Sequence, residues 1–150
     1  MNKFCGPYVY AKLLGIDTDT AAEKLATFDW RYYEGMGNIR VRTKRPVKGI
    51  LGSAMREALK ATGKVVAIIS RPGMTLKTLV EKKAKLGDMN AWSVLITGHY
   101  VITRAGLIYD NNHPHGVPYS KYWGKNKRVR EAICVDMWSD LNPYTGSYHP

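Results

Sequence analysis

The spacing of apolar residues changes at Val65, and this change constrains the fold more than any other feature of the sequence. Before Val65 they recur mainly at helical intervals, and after it they come mainly in short runs rich in β-branched residues, which are typical of strands. Helices followed mostly by strands favour an α+β domain in which the helices pack on an antiparallel β-sheet. The predicted helices cover residues 5–14, 17–27, 47–62 and 75–86, and the predicted strands cover 65–70, 92–97, 100–104, 107–110 and 129–135.

A single domain is expected for residues 1–150, because this length supports one hydrophobic core and no linker or repeat divides the sequence. Residues 136–150 are rich in turn formers and have no periodicity, so we expect an extended tail there. No apolar run is long enough to span a membrane, and the first residues lack the pattern of a signal peptide. We therefore expect a cytoplasmic protein with no membrane partner.

Cys5 is the candidate nucleophile, because it lies before Gly6-Pro7 at a predicted helix start. The unpaired N–H groups and the dipole of a helix N-terminus favour the thiolate form of a cysteine, which is the reactive form. The backbone N–H of Cys5 is placed to donate to a developing oxyanion, and Gly6 lets a substrate backbone approach closely. The second cysteine, Cys134, lies in an apolar run and is predicted to be a buried small hydrophobe rather than a disulfide partner.

Among the four histidines, His99 is the candidate base, because it follows Gly98 at the start of a predicted strand. A turn at Ala105-Gly106 brings the end of the next strand beside His99. Asp110 closes that strand and is the expected partner that holds the imidazole in one tautomer. A slip of one residue in register would put Asn111 there instead, so Asn111 stays open as the alternative.

The order of these residues resembles papain-like cysteine peptidases of the compact, bacteriocin-processing kind, and more closely the small papain-like proteins encoded by bacteriophages. Those proteins carry an early Cys helix, then a Thr-Leu helix, then a Gly-His segment that ends in Asp. The matching segments here are Met74–Val80 and Gly98–Asp110, and the later Trp123 and Val129 fit the closing strand of that family. The resemblance covers about residues 2–135 and implies a papain-like fold.

Carried over by position, the resemblance makes Cys5 the nucleophile, His99 the base and Asp110 the orienting residue. Papain-like enzymes usually place a Gln several residues before the Cys to help bind the oxyanion, and the residue available here is Asn2. The predicted substrate-binding residues are Gly6, Gly98, Trp30 and Tyr100.

The expected function is that of a cysteine hydrolase (a thiol protease or amidase) or an acyl-transfer enzyme that acts on amide or peptide bonds without a cofactor. Deamidase and transglutaminase-like activities use the same groups and stay open. The substrate is expected to be a protein or peptide. If the protein is encoded by a bacteriophage, the host cytoplasm is the expected location.

The formal net charge of +11 supports a second hypothesis, an inactive papain-like scaffold that binds an acidic host protein or a nucleic acid. Cations interleaved with aromatic residues suit phosphates and unstacked bases. No metal site is expected, because His113-x-His115 with Asp110 lacks a further ligand at a recognisable spacing. The candidate nucleic-acid contacts are Arg40, Arg42, Lys44, Arg45, Lys125, Lys127 and Arg128.

Overall fold

The computed structural model describes residues 5–28, 52–140 and 143, and this part of the chain is an α+β structure, as predicted. Four helices and six strands are present in it. The helices are α1 (Cys5–Leu14), α2 (Thr18–Ala26), α3 (Gly52–Lys60) and α4 (Leu76–Lys83). The strands are β1 (Val65–Ser70), β2 (Ala91–Ile96), β3 (His99–Arg104), β4 (Leu107–Asp110), β5 (His113–Pro118) and β6 (Val129–Val135), with a short 3₁₀ turn at Tyr119–Lys121.

The six strands form one antiparallel sheet in the order β1-β6-β2-β3-β4-β5. Apolar side chains point to both faces of the sheet, and helices therefore pack on both faces. Helices α1, α2 and α3 pack on one face over residues such as Tyr100 and Ile102. Helix α4 packs on the other face over residues such as Val101 and Ile108, and Cys134 is buried there as a free thiol, as predicted. The resulting layers hold the N-terminus of α1 against β3.

Helix α1 has the predicted bounds, and two other helices differ from the prediction at their ends. In α2 the N-cap is Asp17, whose carboxylate accepts from the Thr20 backbone N–H at 2.8 Å, so the helix covers Thr18–Ala26 instead of 17–27. Helix α4 begins after its N-cap Thr75 but ends at Lys83 instead of the predicted residue 86. Its end is fixed because the Ala84 carbonyl accepts from Gly106, at the tip of the β3–β4 hairpin.

Strand β5 differs from the sequence prediction, which places a loop after residue 110. It pairs with β4 at the edge of the sheet, through Asp110↔His113 and Leu107↔Pro118. For the predicted helix 47–62, the structure confirms the part from Gly52 to Lys60, and residues 47–51 lie outside the described residues.

The described part of the predicted tail, residues 136–140 and 143, contains no helix or strand. Met137 and Trp138 nevertheless pack against the α1 side of the core, and the Lys12 ammonium lies 4.8 Å from the centre of the Trp138 ring. No helix in the described ranges has the length and apolar content needed to cross a membrane.

Two tight hairpins bring the chemistry-bearing residues together. Residues 97 and 98 connect β2 to β3, and Ile96 pairs directly with His99. Ala105 and Gly106 connect β3 to β4, as predicted, with φ angles of +52° and +80°. Two successive positive φ angles are typical of a type I′ hairpin turn, which matches the twist of the strands. His99 and Asp110 therefore lie at the same end of the sheet.

The positive φ of Ala105 leads to a first prediction. An alanine in the left-handed region is strained because of its Cβ, whereas glycine adopts that region freely. We expect Ala105→Gly to raise the free energy of unfolding by about 0.5–1 kcal/mol, measured by urea denaturation. Ala61→Gly, just after helix α3 and without a positive φ, is the control and is expected to give no gain. Equal effects of the two substitutions would contradict the strain argument.

Candidate active site

Cys5 is the first residue of α1 and is only 2% exposed. Pro7 in the first turn suits the start of a helix, because the N–H that proline lacks would have no helical partner there. The backbone N–H of Tyr100, on β3, approaches the Cys5 sulfur at 3.5 Å. Cys5 is thus held between a helix N-terminus and the strand that carries His99.

His99 links the sulfur to a carboxylate. Its Nε2 lies 2.9 Å from Oδ2 of Asp110, and its side chain also interacts with the Cys5 sulfur. Because Nε2 is engaged by Asp110, Nδ1 is the ring nitrogen left for Cys5. Burial lowers the pKa of His99, but the hydrogen bonds and charges of Asp110 and Cys5 outweigh it and raise the pKa to about 9. The imidazole is therefore stabilised in its charged form.

The choice between Asp110 and Asn111 is decided by the sheet register. In the β3–β4 pair, Ile102 is opposite Tyr109. Continuing that register places residue 110 opposite residue 101, whose side chain points to the same face as that of His99. Residue 111 falls opposite residue 100, on the other face. Asp110 is therefore a diagonal neighbour of His99, and Asp110 rather than Asn111 is its hydrogen-bond partner.

Asp110 is fully buried and accepts four hydrogen bonds. Besides His99, the Tyr122 hydroxyl donates to Oδ2 at 2.5 Å, and His113 Nδ1 and the Asn112 backbone N–H approach Oδ1 at 2.8 and 2.9 Å. Burial raises the pKa of this carboxyl, but these bonds together lower it well below its usual range. Burial and the bond to Asp110 raise the pKa of Tyr122. Asp110 therefore stays ionised and Tyr122 stays protonated.

Sequence reasoning missed Tyr122 and His113 as partners of Asp110. In the sequence, Tyr122 is one aromatic residue within a basic stretch, and His113 belongs to an incomplete metal-like pattern. Within the ranges that the structure describes, no group of three His, Cys, Asp or Glu side chains is arranged to hold a metal ion. Instead, His113 is the first residue of β5 and pairs with Asp110 across the strands. The only signal in the sequence that His113 could reach Asp110 was its position three residues after that residue.

The predicted substrate-binding residues have different environments. Gly6 is buried next to Cys5. Gly98 has a φ of +75°, and a Cβ added there would meet no atom within 4 Å, so its neighbourhood is open. Tyr100 is 2% exposed and packs in the core under α1, so its backbone rather than its ring faces Cys5. Asn2 and Trp30 lie outside the described residues.

Trp123 is the exposed aromatic residue beside His99. Its ring centre lies 5.7 Å from that of His99, its exposure is 58%, and the Lys127 ammonium lies 5.4 Å from its ring centre. Lys125 and Arg128 follow Trp123 in the chain by two and five residues. The other candidate nucleic-acid contacts, Arg40, Arg42, Lys44 and Arg45, lie outside the described residues.

Comparisons of the chain with protein-family models, with curated proteins and with solved structures find no match. The papain-like resemblance therefore stays a prediction. The imidazole of His99 is bonded to the ionised carboxylate of Asp110 and interacts with the thiol of Cys5. This order of groups suits a nucleophile, its base and the residue that orients the base.

Proposed function

We propose that the protein is a papain-like cysteine hydrolase or acyl-transfer enzyme that acts on amide or peptide bonds. The observation that carries the proposal is His99, which interacts with the Cys5 thiol and is held through Nε2 by the buried Asp110. A histidine that is held by a carboxylate and faces a thiol at a helix N-terminus has the features of an activated nucleophile. A histidine with a purely structural role would not need the carboxylate, the thiol and the helix N-terminus together.

In the proposed reaction the Cys5 thiol transfers its proton to His99, which gives a thiolate and an imidazolium. The thiolate attacks the carbonyl carbon, and the C–N bond breaks as His99 passes the proton to the leaving nitrogen. The acyl group is then bound to sulfur as a thioester. Water, deprotonated by His99, attacks the thioester and releases the acid, and Cys5 regains the proton.

Asp110 and the start of α1 have separate roles in this scheme. Asp110 fixes the tautomer of His99 and stabilises the imidazolium. The Cys5 backbone N–H lies in the first turn of α1, where N–H groups have no helical acceptor, and is placed to donate to the oxyanion. The identity of the leaving group and of the acceptor decides between peptidase, deamidase and transglutaminase-like activity. A bacteriophage origin stays a prediction of the resemblance.

Alkylation of Cys5 tests the proposal without a known substrate. We expect iodoacetamide to modify Cys5 at about pH 5, because the imidazolium of His99 favours the thiolate, and we expect His99→Ala to slow that reaction at least about tenfold. Rates are measured for each cysteine by mass spectrometry of the digested protein from about pH 4 to about pH 9.

Two controls accompany this measurement. Cys134 is buried in the same protein, burial and the charge of Asp136 raise the pKa of its thiol, and it is expected to stay slow at low pH. His115→Ala replaces an exposed histidine and is expected to leave the rate at Cys5 unchanged. If Cys5 behaves like Cys134 in every variant, the enzyme proposal is wrong, and the inactive binding scaffold becomes the better hypothesis.

A further inference from the structure

The segment from Lys121 to Arg128 carries four cations and no acidic residue, and we call it the basic loop. Across the described ranges, none of its cations lies within 4.0 Å of a carboxylate oxygen, although other ion pairs are formed there, such as that between Arg56 and Glu131. Four cations without a nearby counter-charge give this part of the surface a positive potential. The four are Lys121, Lys125, Lys127 and Arg128.

The basic loop is held in place by backbone hydrogen bonds to the start of α4. The carbonyls of Lys125 and Lys127 accept from the N–H groups of Lys77 and Leu76 at 2.8 and 3.0 Å, which satisfies two N–H groups that lack acceptors within the helix. Arg128 forms a β-bridge with Thr75. The cations therefore project from an ordered backbone, which lowers the entropy cost of binding a charged partner.

Trp123 places the basic loop directly beside the reacting groups. The centre of its ring lies 5.7 Å from the centre of the His99 ring and 5.4 Å from the Lys127 ammonium. Its neighbour Gly124 must lack a side chain, because a Cβ there would lie 2.9 Å from the Tyr122 ring, and Tyr122 in turn holds Asp110. The Lys127 ammonium and the proposed catalytic groups are thus positioned by the same short segment. The side chains of Lys125 and Arg128 donate to the carbonyls of Ser120 and Gly73.

The direction of the proposed reaction decides which part of a substrate meets these cations. His99 gives its proton to the leaving nitrogen, so the leaving part of the substrate must lie on the side of His99. Trp123 and the Lys127 ammonium near its ring are on that side. We infer that the substrate is an acidic polypeptide, with Asp or Glu residues on the leaving-group side of the bond that breaks. This inference rests on the proposed function and names its substrate class.

A polypeptide fits this surface better than a nucleic acid does. The proposed reaction breaks an amide bond, and the sugar–phosphate backbone of a nucleic acid has none. Carboxylates need only the cations and the N–H donors of the lysines.

The first test compares a charged and a neutral reagent on the same thiol. Iodoacetate carries a carboxylate and iodoacetamide does not, so the ratio of their rates at Cys5 reports the local potential. We expect the double substitution Lys125→Gln and Lys127→Gln to lower that ratio about threefold, and about 0.5 M salt to lower it in the wild type. The double substitution Lys82→Gln and Lys83→Gln, on the exposed end of α4, is the matched control and is expected to change nothing.

The second test uses two polyanions as competitors. A peptide of alternating Glu and Ala is expected to slow the reaction of Cys5 with iodoacetamide in the wild type, and to lose this effect when Lys125 and Lys127 are replaced. An oligothymidine of the same charge is the comparison. Protection by the oligothymidine alone, or by neither polyanion, would overturn the inference, as would an unchanged reagent ratio in the Lys125 and Lys127 variant.

These outcomes separate the inference from the function on which it rests. If Cys5 lacks rapid alkylation at low pH in the wild type, the proposed enzyme activity is wrong, and the inferred substrate class is then wrong as well. If that reactivity is present and depends on His99, but the basic loop has no effect on the reagent ratio, only the acidic substrate is wrong.

Discussion

Replacing Asp110 by alanine is expected to lower the free energy of unfolding by about 3–5 kcal/mol, the range measured when one partner of a buried ion pair is removed. Asp110 is fully buried, and its two oxygens accept hydrogen bonds from four groups. The substitution leaves the charge of His99 and the Tyr122 hydroxyl without their acceptor in the interior. Both groups then bear a desolvation cost that nothing offsets.

Asp110→Asn separates the loss of charge from the loss of volume. The amide has nearly the same shape but only one accepting oxygen, and its NH₂ group cannot accept from Tyr122 or from a histidine N–H. We expect a smaller loss of stability, of about 1–3 kcal/mol. Urea denaturation at about pH 6 measures both variants, and Asp136→Ala, which removes an exposed carboxylate, is the control. A loss below about 1 kcal/mol for Asp110→Ala would contradict the buried network.

The sequence is sufficient for the parts of the site that depend on local structure. A helix start identifies Cys5, and a glycine at a strand start identifies His99, because capping and turn chemistry depend on neighbouring residues. Asp110 needs one more element, the turn at Ala105-Gly106, whose length fixes the register of β3 and β4. Once that register is known, the alternation of side chains excludes Asn111.

The rest of the Asp110 hydrogen-bond network depends on contacts that no local sequence pattern predicts. Strand β5 has the sequence His-Pro-His-Gly-Val-Pro, with two prolines and no alternation of apolar and polar residues. Proline is tolerated there because β5 is the edge strand of the sheet formed by the described residues and pairs only with β4 in it. Because the sequence prediction omitted β5, it also omitted His113 as a partner of Asp110. Tyr122 follows a 3₁₀ turn after β5, so its position depends on the same missed strand.

The bounds of the second helix illustrate competition between two equally local signals. Thr20-Ala21-Ala22-Glu23 has the spacing of a capping box, and Asp17 is also a good N-cap residue. Asp17 takes the role because its carboxylate accepts from both the backbone N–H and the hydroxyl of Thr20. A charged acceptor at the positive end of a helix is favoured over a neutral hydroxyl.

The raised pKa of His99 makes the stability of the protein depend on pH. Its pKa is about 9 in the folded protein, against 6.5 for an unperturbed imidazole, so His99 keeps a proton in the folded state between these two values. Where Cys5 supplies that proton, the total number of bound protons is unchanged. The contribution of this group is therefore fully present below about pH 6.5 and is lost as the pH rises towards about 9. Because one pKa unit is worth about 1.4 kcal/mol, the whole loss amounts to about 3 kcal/mol.

Lys12 limits the useful pH range of that measurement. Burial lowers its pKa to about 8, with the charge of Asp140 opposing and that of Arg104 reinforcing the change. Its folded state holds fewer protons than the unfolded state between about pH 8 and about pH 10.5, so its contribution increases with pH there. The two effects oppose each other above about pH 8, and the range from about pH 6.5 to about pH 8 reports His99.

Over that range the free energy of unfolding of Cys5→Ala, which has no thiol to exchange a proton with His99, is expected to fall by at most about 2 kcal/mol. The same protein with His99→Gln is expected to stay level, because glutamine does not titrate. Urea denaturation at steps of about half a pH unit gives the two slopes. His115→Gln, on the exposed surface of β5, is expected to keep the slope of Cys5→Ala. A Cys5→Ala protein whose stability is flat or rises across this range would mean that Asp110 does not hold His99 in its charged form, even if Asp110 stabilises the fold.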